Sequence, residues 1–148
     1  ELKLNSSKYL QINKNLIPTG KFKNIKKSIY DFSNFENIGK KLDYFKNKKL
    51  NTRFKGFDTT FSVKKNIRNY VGTLKNNNTN IQVDFFSNLP GVQLYSAQNL
   101  NYKKKLFPYQ GICLETQYFP DAPNKKNFPS TLIKPNKRYT CFTKIKIS

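Results

Sequence analysis

Gly111-Ile-Cys-Leu-Glu-Thr-Gln-Tyr-Phe-Pro-Asp-Ala-Pro-Asn124 begins as an extended segment and closes as a proline-punctuated turn. Side chains alternate across a strand, so Ile112, Leu114, Thr116 and Tyr118 share one face and Cys113, Glu115, Gln117 and Phe119 the other. Glu115 therefore stands in the middle of what reads as a buried β-strand, where an unpaired carboxylate is costly. Two readings fit that placement. Either a neighbouring Lys or Arg neutralises the carboxylate, or it is retained for chemistry. The chain has only 8 acidic residues against 28 basic ones, which makes an acid kept inside a strand a candidate for function.

Working outward, the other apolar segments also alternate. Leu2 and Leu4 are separated by a polar residue, and Tyr9-Leu-Gln-Ile-Asn13 alternates again. Leu16-Ile-Pro-Thr-Gly20 reads as a Pro/Gly turn, followed by a loop-rich stretch through Asp31-Phe32. The segment from Asn34 to Lys49 has room for a short helix that Gly39 interrupts. Ile81, Val83 and Phe85 lie together on a strand that follows an exposed Asn76-Asn77-Asn78 tip. Gly91-Val-Gln-Leu-Tyr-Ser96 sets Val92 and Leu94 opposite Gln93 and Tyr95. Arg138 to Ile147 closes the chain as a strand, with Tyr139, Cys141, Thr143, Ile145 and Ile147 facing one way and Lys144 and Lys146 facing solvent. There is no repeat and no internal linker, so the expectation is one all-β unit.

Composition narrows the chemistry. The 148 residues contain no histidine, which removes imidazole catalysis and His-ligated metals from this chain. Cys113 and Cys141 read as two buried strand thiols, with a disulfide as the alternative. The chain starts at Glu1 without Met and is already strand-like there, so an incomplete domain is expected. No apolar run is long enough to span a membrane. The formal charge of +20 and the 13 Phe and 9 Tyr raise a nucleic-acid reading. Against it, lysine outnumbers arginine 25 to 3, whereas bidentate phosphate and base recognition favours Arg. The lysine pairs, from Lys26-Lys27 to Lys125-Lys126, are scattered and fall mainly in expected loops.

With these segments in order, the chain resembles the aldose 1-epimerase (galactose mutarotase) family, specifically its C-terminal part. Leu16-Ile-Pro-Thr-Gly20 is similar to the family's "liPTG" turn, Asp31-Phe32 to its "DF", and Gly56-Phe-Asp58 to the start of "GyDH". Pro90-Gly-Val-Gln-Leu-Tyr-Ser96 resembles "PGlQvYT", and Cys113-Leu-Glu-Thr-Gln117 resembles "CLETQ". Phe119-Pro-Asp-Ala-Pro-Asn124 with Phe128-Pro-Ser130 resembles "FPDAPN…FPS". The collinear order, more than any one motif, carries the likeness.

The resemblance implies an all-β fold, a large antiparallel β-sandwich of which residues 1–148 form the C-terminal part of a single domain. It also implies a free aldohexose as substrate, with no cofactor and no metal. Its reaction is interconversion of α and β anomers, with Glu115 as the base that takes the anomeric proton. Asp58 is carried over as an acceptor for sugar hydroxyls, its plain alternative being a turn residue after Gly56. Gln93 is carried over as a cleft residue able to donate and accept, its alternative being an outward polar strand residue. Two departures stand out: Thr59 follows Asp58 where the family has His, and "YTGN" becomes Tyr95-Ser-Ala-Gln98. The family's general-acid His lies upstream of everything present, so this chain by itself is expected to be inactive. A non-catalytic sugar-binding relative is the first alternative, and a polyanion-binding basic protein the second. A companion N-terminal segment or self-association is the expected partner, and the cytoplasm the location that the family implies.

Overall fold

A computed structural model describes residues 1–47, 55–103 and 105–148. The strands are β1 (Leu2–Leu4), β2 (Ser6–Ile12), β3 (Pro18–Asn24), β4 (Asp58–Val63), β5 (Tyr70–Asn76), β6 (Ile81–Ser87), β7 (Gly91–Tyr95), β8 (Cys113–Gln117) and β9 (Thr143–Ile147), with one helix, α1 (Ile38–Asn47). They form two antiparallel sheets, one in the order β1-β5-β6-β9 and the other β3-β2-β4-β7-β8. The fold is mostly β, as the alternating segments imply.

The core lies where alternation aims it. Leu2 and Leu4 of the smaller sheet meet Phe61, Val92 and Leu94 of the larger one, and all five are buried. Ile38, Leu42 and Phe45 of α1 add a helical stripe at i, i+4 and i+7. Asn37 caps that helix, its Oδ1 accepting the Lys40 N–H at 3.0 Å. Gly39 therefore sits in the first turn rather than breaking the helix. Lys48, Lys49 and Lys104 lie outside the described residues.

Across the smaller sheet the inner face loses its cover from one side to the other. The registers Leu2↔Leu74↔Val83↔Ile147 and Leu4↔Gly72↔Phe85↔Ile145 put all these residues on one face. Leu2 is fully buried, whereas Ile145 is 57% and Ile147 71% exposed. The expected final strand is thus shorter than Arg138–Ile147, and all five of its residues are exposed. Cys141 lies before it and, like Cys113, is an exposed free thiol. The expectation of two buried thiols fails because β8 and β9 are the outermost strands of their sheets, with no further strand described beyond them.

Three strands, β3, β4 and β5, arise where the sequence reading placed loops or made no assignment. Pro18-Thr-Gly20 opens β3 rather than completing a turn; the turn itself lies just before, at Leu16. Leu16 has φ 67 and is 39% exposed, so an L side chain occupies the left-handed region with little burial in return. That conformation costs roughly 1–2 kcal/mol for a non-glycine residue, partly offset by the flexibility glycine adds to the unfolded chain. Leu16→Gly is expected to stabilise by about 0.5–1 kcal/mol, read as a higher midpoint in urea unfolding.

Asp31 holds the loop that delivers Phe32, 0% exposed, to the core. Its Oδ1 accepts from the Ser33 hydroxyl at 2.6 Å and the Ser33 N–H at 3.1 Å, while Oδ2 accepts from the Lys27 N–H at 3.3 Å. The Ser33 hydroxyl first, then these backbone donors and the nearby Lys41 charge, hold the carboxyl below its usual range against some desolvation. A depressed folded-state value contributes stability above the ordinary carboxylate pKa of about 4 and loses it as pH falls through the lower folded value. Asp31→Asn is expected to cost about 1 kcal/mol at neutral pH. The gap between variant and parent melting curves should close on acidification below about pH 4.

Candidate active site

Three adjacent strands of the larger sheet bring the sequence-selected residues together. Thr60 pairs with Gln93 and Gln93 with Glu115, forming a row across β4, β7 and β8; Asp58, Tyr95 and Cys113 form the next. The Gln93 Nε2 donates to Asp58 Oδ1 at 2.6 Å, and the Thr60 hydroxyl donates to Gln93 Oε1. The Asp58 carboxylate, an acceptor only, fixes which end of the amide faces it, and the Thr60 hydroxyl donates to the other end. Asp58, Gln93 and Glu115 all line one open cleft of about 780 Å³.

Glu115 is on that cleft but is not buried. It is exposed, on a strand that stands outermost in its sheet among the described residues. The apolar neighbours that made the strand read as buried lie on the opposite face, where Leu114 packs on the core and Thr116 bonds to Thr143. Among the described residues Glu115 has neither an ion-pair nor a hydrogen-bond partner, so the neutralising Lys or Arg is not found there.

Local sequence explains how each group is aimed. At Gly56 a Cβ would lie 2.5 Å from the Ser96 Oγ, so only glycine admits this approach. Ser96, 1% exposed, accepts from the Phe57 N–H at 2.8 Å and donates to Gln98 Oε1 at 2.8 Å. Phe57 then enters the core, and alternation turns Asp58 toward the cleft. On β7, Gly91 leaves room for the Phe119 ring, which a Cβ would approach to 3.1 Å. Phe119 clusters with Phe22, Phe128 and Leu10 as a second, smaller core beside the cleft. Asp121 braces the turn after Phe119 by accepting from Asn124 and Lys125. Lys125 and then Asn124 hold its carboxyl below the usual range. Asn127 donates to the Gly20 carbonyl at 2.7 Å, joining two sequence motifs that are more than a hundred residues apart.

The sequence reading did not select Thr60, Tyr95 or Gln117, which also line the cleft. Alternation through Asp58-Thr-Thr-Phe-Ser-Val63 contains the signal for Thr60, but only once that segment is taken as a strand.

The family profile described as aldose 1-epimerase matches residues 1–146. The chain belongs to the aldose 1-epimerase family. Galactose mutarotase of Homo sapiens is 28% identical over 155 residues, covering 100% of this chain and 43% of that protein. The Mus musculus galactose mutarotase is 26% identical over 160 residues, with the same shares. The chain therefore spans somewhat less than half the length of these relatives. Among solved structures, a GalM/aldose epimerase homologue from C. elegans superposes with a TM-score of 0.81 at 18% identity, covering 99% of this chain and 45% of that one. Galactose 1-epimerase from Lactobacillus acidophilus NCFM gives 0.70 at 19% identity, covering 99% and 43%. These likenesses establish a galactose mutarotase-like fold. Within the aldose 1-epimerase pattern, the replacement of Gly by Ala97 is notable because Ala97 has φ 51, a conformation in which glycine is at ease.

Proposed function

We propose that this chain carries the proton-accepting side of a mutarotase site, which interconverts the α and β anomers of a free aldohexose such as galactose or glucose. Glu115 is the base: an oxygen of its carboxylate takes the proton of the anomeric hydroxyl as the bond from C1 to the ring oxygen breaks. Rotation of the aldehyde and reclosure, with the proton returned, yield the other anomer. Asp58 accepts from sugar hydroxyls, and Gln93, already tied to Asp58 and Thr60, offers its remaining donor and acceptor capacity to a neighbouring diol. The observation that carries this reading is the convergence of Asp58, Gln93 and Glu115 on one cleft from three paired strands. A strand-borne carboxylate is held in a reproducible direction, which general-base catalysis requires.

Protonation of the ring oxygen needs an acid this chain supplies through no histidine. That group is assigned to a companion segment, and the setting to cytoplasmic hexose metabolism. Polarimetry on fresh α-D-galactose with the 148-residue chain alone is expected to show the spontaneous rate, while titration calorimetry shows sugar binding weakened by Gln93→Ala. Acceleration by the chain alone that Glu115→Gln removes would refute the need for a companion acid. No binding of either D-galactose or D-glucose would refute the sugar site. The absence of histidine and the Thr59 after Asp58 favour one second reading, a sugar-binding relative without catalysis. Retained binding with no activity, even after the N-terminal half of a catalytic relative is supplied, is its signature.

A further inference from the structure

The two faces of the smaller sheet differ in kind. The inner one, from Leu2 to Ile147, is apolar. Alternation turns the residues between those positions outward, and the registers gather them into rows. Lys3↔Thr73↔Asp84↔Lys146 runs across all four strands, and Tyr70↔Phe86↔Lys144 lies beside it. This face is separate from the sugar-site cleft, whose row stands on β4, β7 and β8 of the larger sheet.

Cations and aromatic rings share the outer face. Lys3, Lys144, Lys146 and the adjoining Arg68 have no ion-pair partner among the described residues. The nearby carboxylates are already engaged: Asp84 accepts from the Thr73 hydroxyl at 2.5 Å and from Gln82 at 3.1 Å, and Glu1 pairs with Lys75 at 3.0 Å. Tyr70 and Phe86 meet edge to face at 5.9 Å and, with Asn5, Asn66, Arg68 and Asp84, line an open hollow of about 500 Å³. The Lys144 Nζ stands 5.7 Å from the Phe86 centroid. At the β1 edge, Phe35 is 40% exposed, with the Lys3 Nζ 5.7 Å from its ring.

A phosphodiester chain satisfies such cations, and its unpaired bases offer flat faces to the rings of a four-stranded sheet. An anionic membrane would use the charges and leave the rings idle, and a duplex keeps its base faces stacked on one another. Scarce arginine counts against reading base edges, not against holding phosphates. Three of the four cations are strand residues on one surface, unlike the lysine pairs scattered through loops.

We infer that the outer face of the smaller sheet binds single-stranded nucleic acid without sequence preference. Its phosphates lie on Lys3, Arg68, Lys144 and Lys146, and a base enters the hollow beside Tyr70 and Phe86. The test is fluorescence anisotropy of the 148-residue chain with a labelled oligothymidylate of about twelve nucleotides and an abasic strand of the same length. Between about 50 and 200 mM salt, log K is expected to fall against log salt with a slope of about −3, roughly 0.7 for each phosphate contact. Oligothymidylate should bind about tenfold tighter than the abasic strand. Phe86→Ala removes that advantage and leaves abasic binding unchanged. Lys144→Gln with Lys146→Gln flattens the slope by about 1.4, whereas Lys21→Gln with Lys23→Gln, the same charge change on exposed positions of β3, leaves it as it was. Should Phe86→Ala not fold, the two lysine pairs decide the matter. Equal losses from both pairs overturn the proposal, since net charge alone then drives binding. So does a parent that binds both strands equally, or a folded Phe86→Ala that keeps the advantage. Phosphatidylserine vesicles that hold the chain against excess oligothymidylate would make a lipid surface the partner instead. No binding at about 50 mM salt overturns it outright and leaves the sugar site untouched.

Discussion

Phe57→Ala is expected to lower the free energy of unfolding by about 3–5 kcal/mol, enough to leave a domain of this size barely folded. Phe57 is 0% exposed, and its ring meets Phe45 at 5.1 Å, Phe32 at 5.3 Å and Tyr30 at 6.1 Å, each edge to face. These partners come from α1 and from the loop after β3, so one truncation loosens both from the larger sheet. The damage reaches the cleft as well, because Gly56 and Asp58 flank the ring and Ser96 holds its backbone on both sides. Urea unfolding followed by circular dichroism gives the size of the effect. A loss below about 1 kcal/mol would mean that the aromatic cluster is not the centre of the core.

Glu115→Gln is the second large effect, and it is chemical rather than structural. The amide keeps the shape of the side chain and its exposed edge-strand position, so the fold should be indifferent to the change. It cannot take a proton from a hydroxyl. With the N-terminal half of a catalytic relative supplied to provide an acid, the mutarotation kcat is expected to fall by about 10²–10⁴-fold. KM should change little, since the sugar contacts proposed for Asp58 and Gln93 remain. Polarimetry at saturating and limiting α-D-galactose separates the two constants. Unchanged kcat would remove Glu115 from the role of base.

The fold class was legible from period-two alternation, and motifs local in sequence picked out Asp58, Gln93 and Glu115, which line one cleft, but not Thr60, Tyr95 or Gln117 beside them. Val92 and Leu94 did go to the core while Gln93 and Tyr95 faced the cleft. What alternation does not encode is which strands lie outermost. Glu115 and Cys113 read as buried from their neighbours, yet they are exposed on β8, which has one partner strand, β7, among the described residues. The missed strands have a related cause. Pro18–Asn24 is an outermost strand among the described residues and has only one apolar side chain, Phe22, after Pro18, and Asp58–Val63 starts with three polar residues, of which Asp58 and Thr60 turn to the cleft. Helix α1 falls inside the segment expected to hold one, but Gly39 does not interrupt it, its place in the first turn following from the Asn37 cap.

The fading cover across β6 and β9 has a colloidal consequence. Copies of this chain carry both an adhesive flank, where Ile145 and Ile147 stand open, and a formal charge of +20 that repels like molecules. In dilute buffer the repulsion should prevail and keep solutions clear. Adding sodium chloride shortens its reach to about 3 Å at 1 M, and light scattering should then rise, making ionic strength the lever that governs how long the protein can be handled.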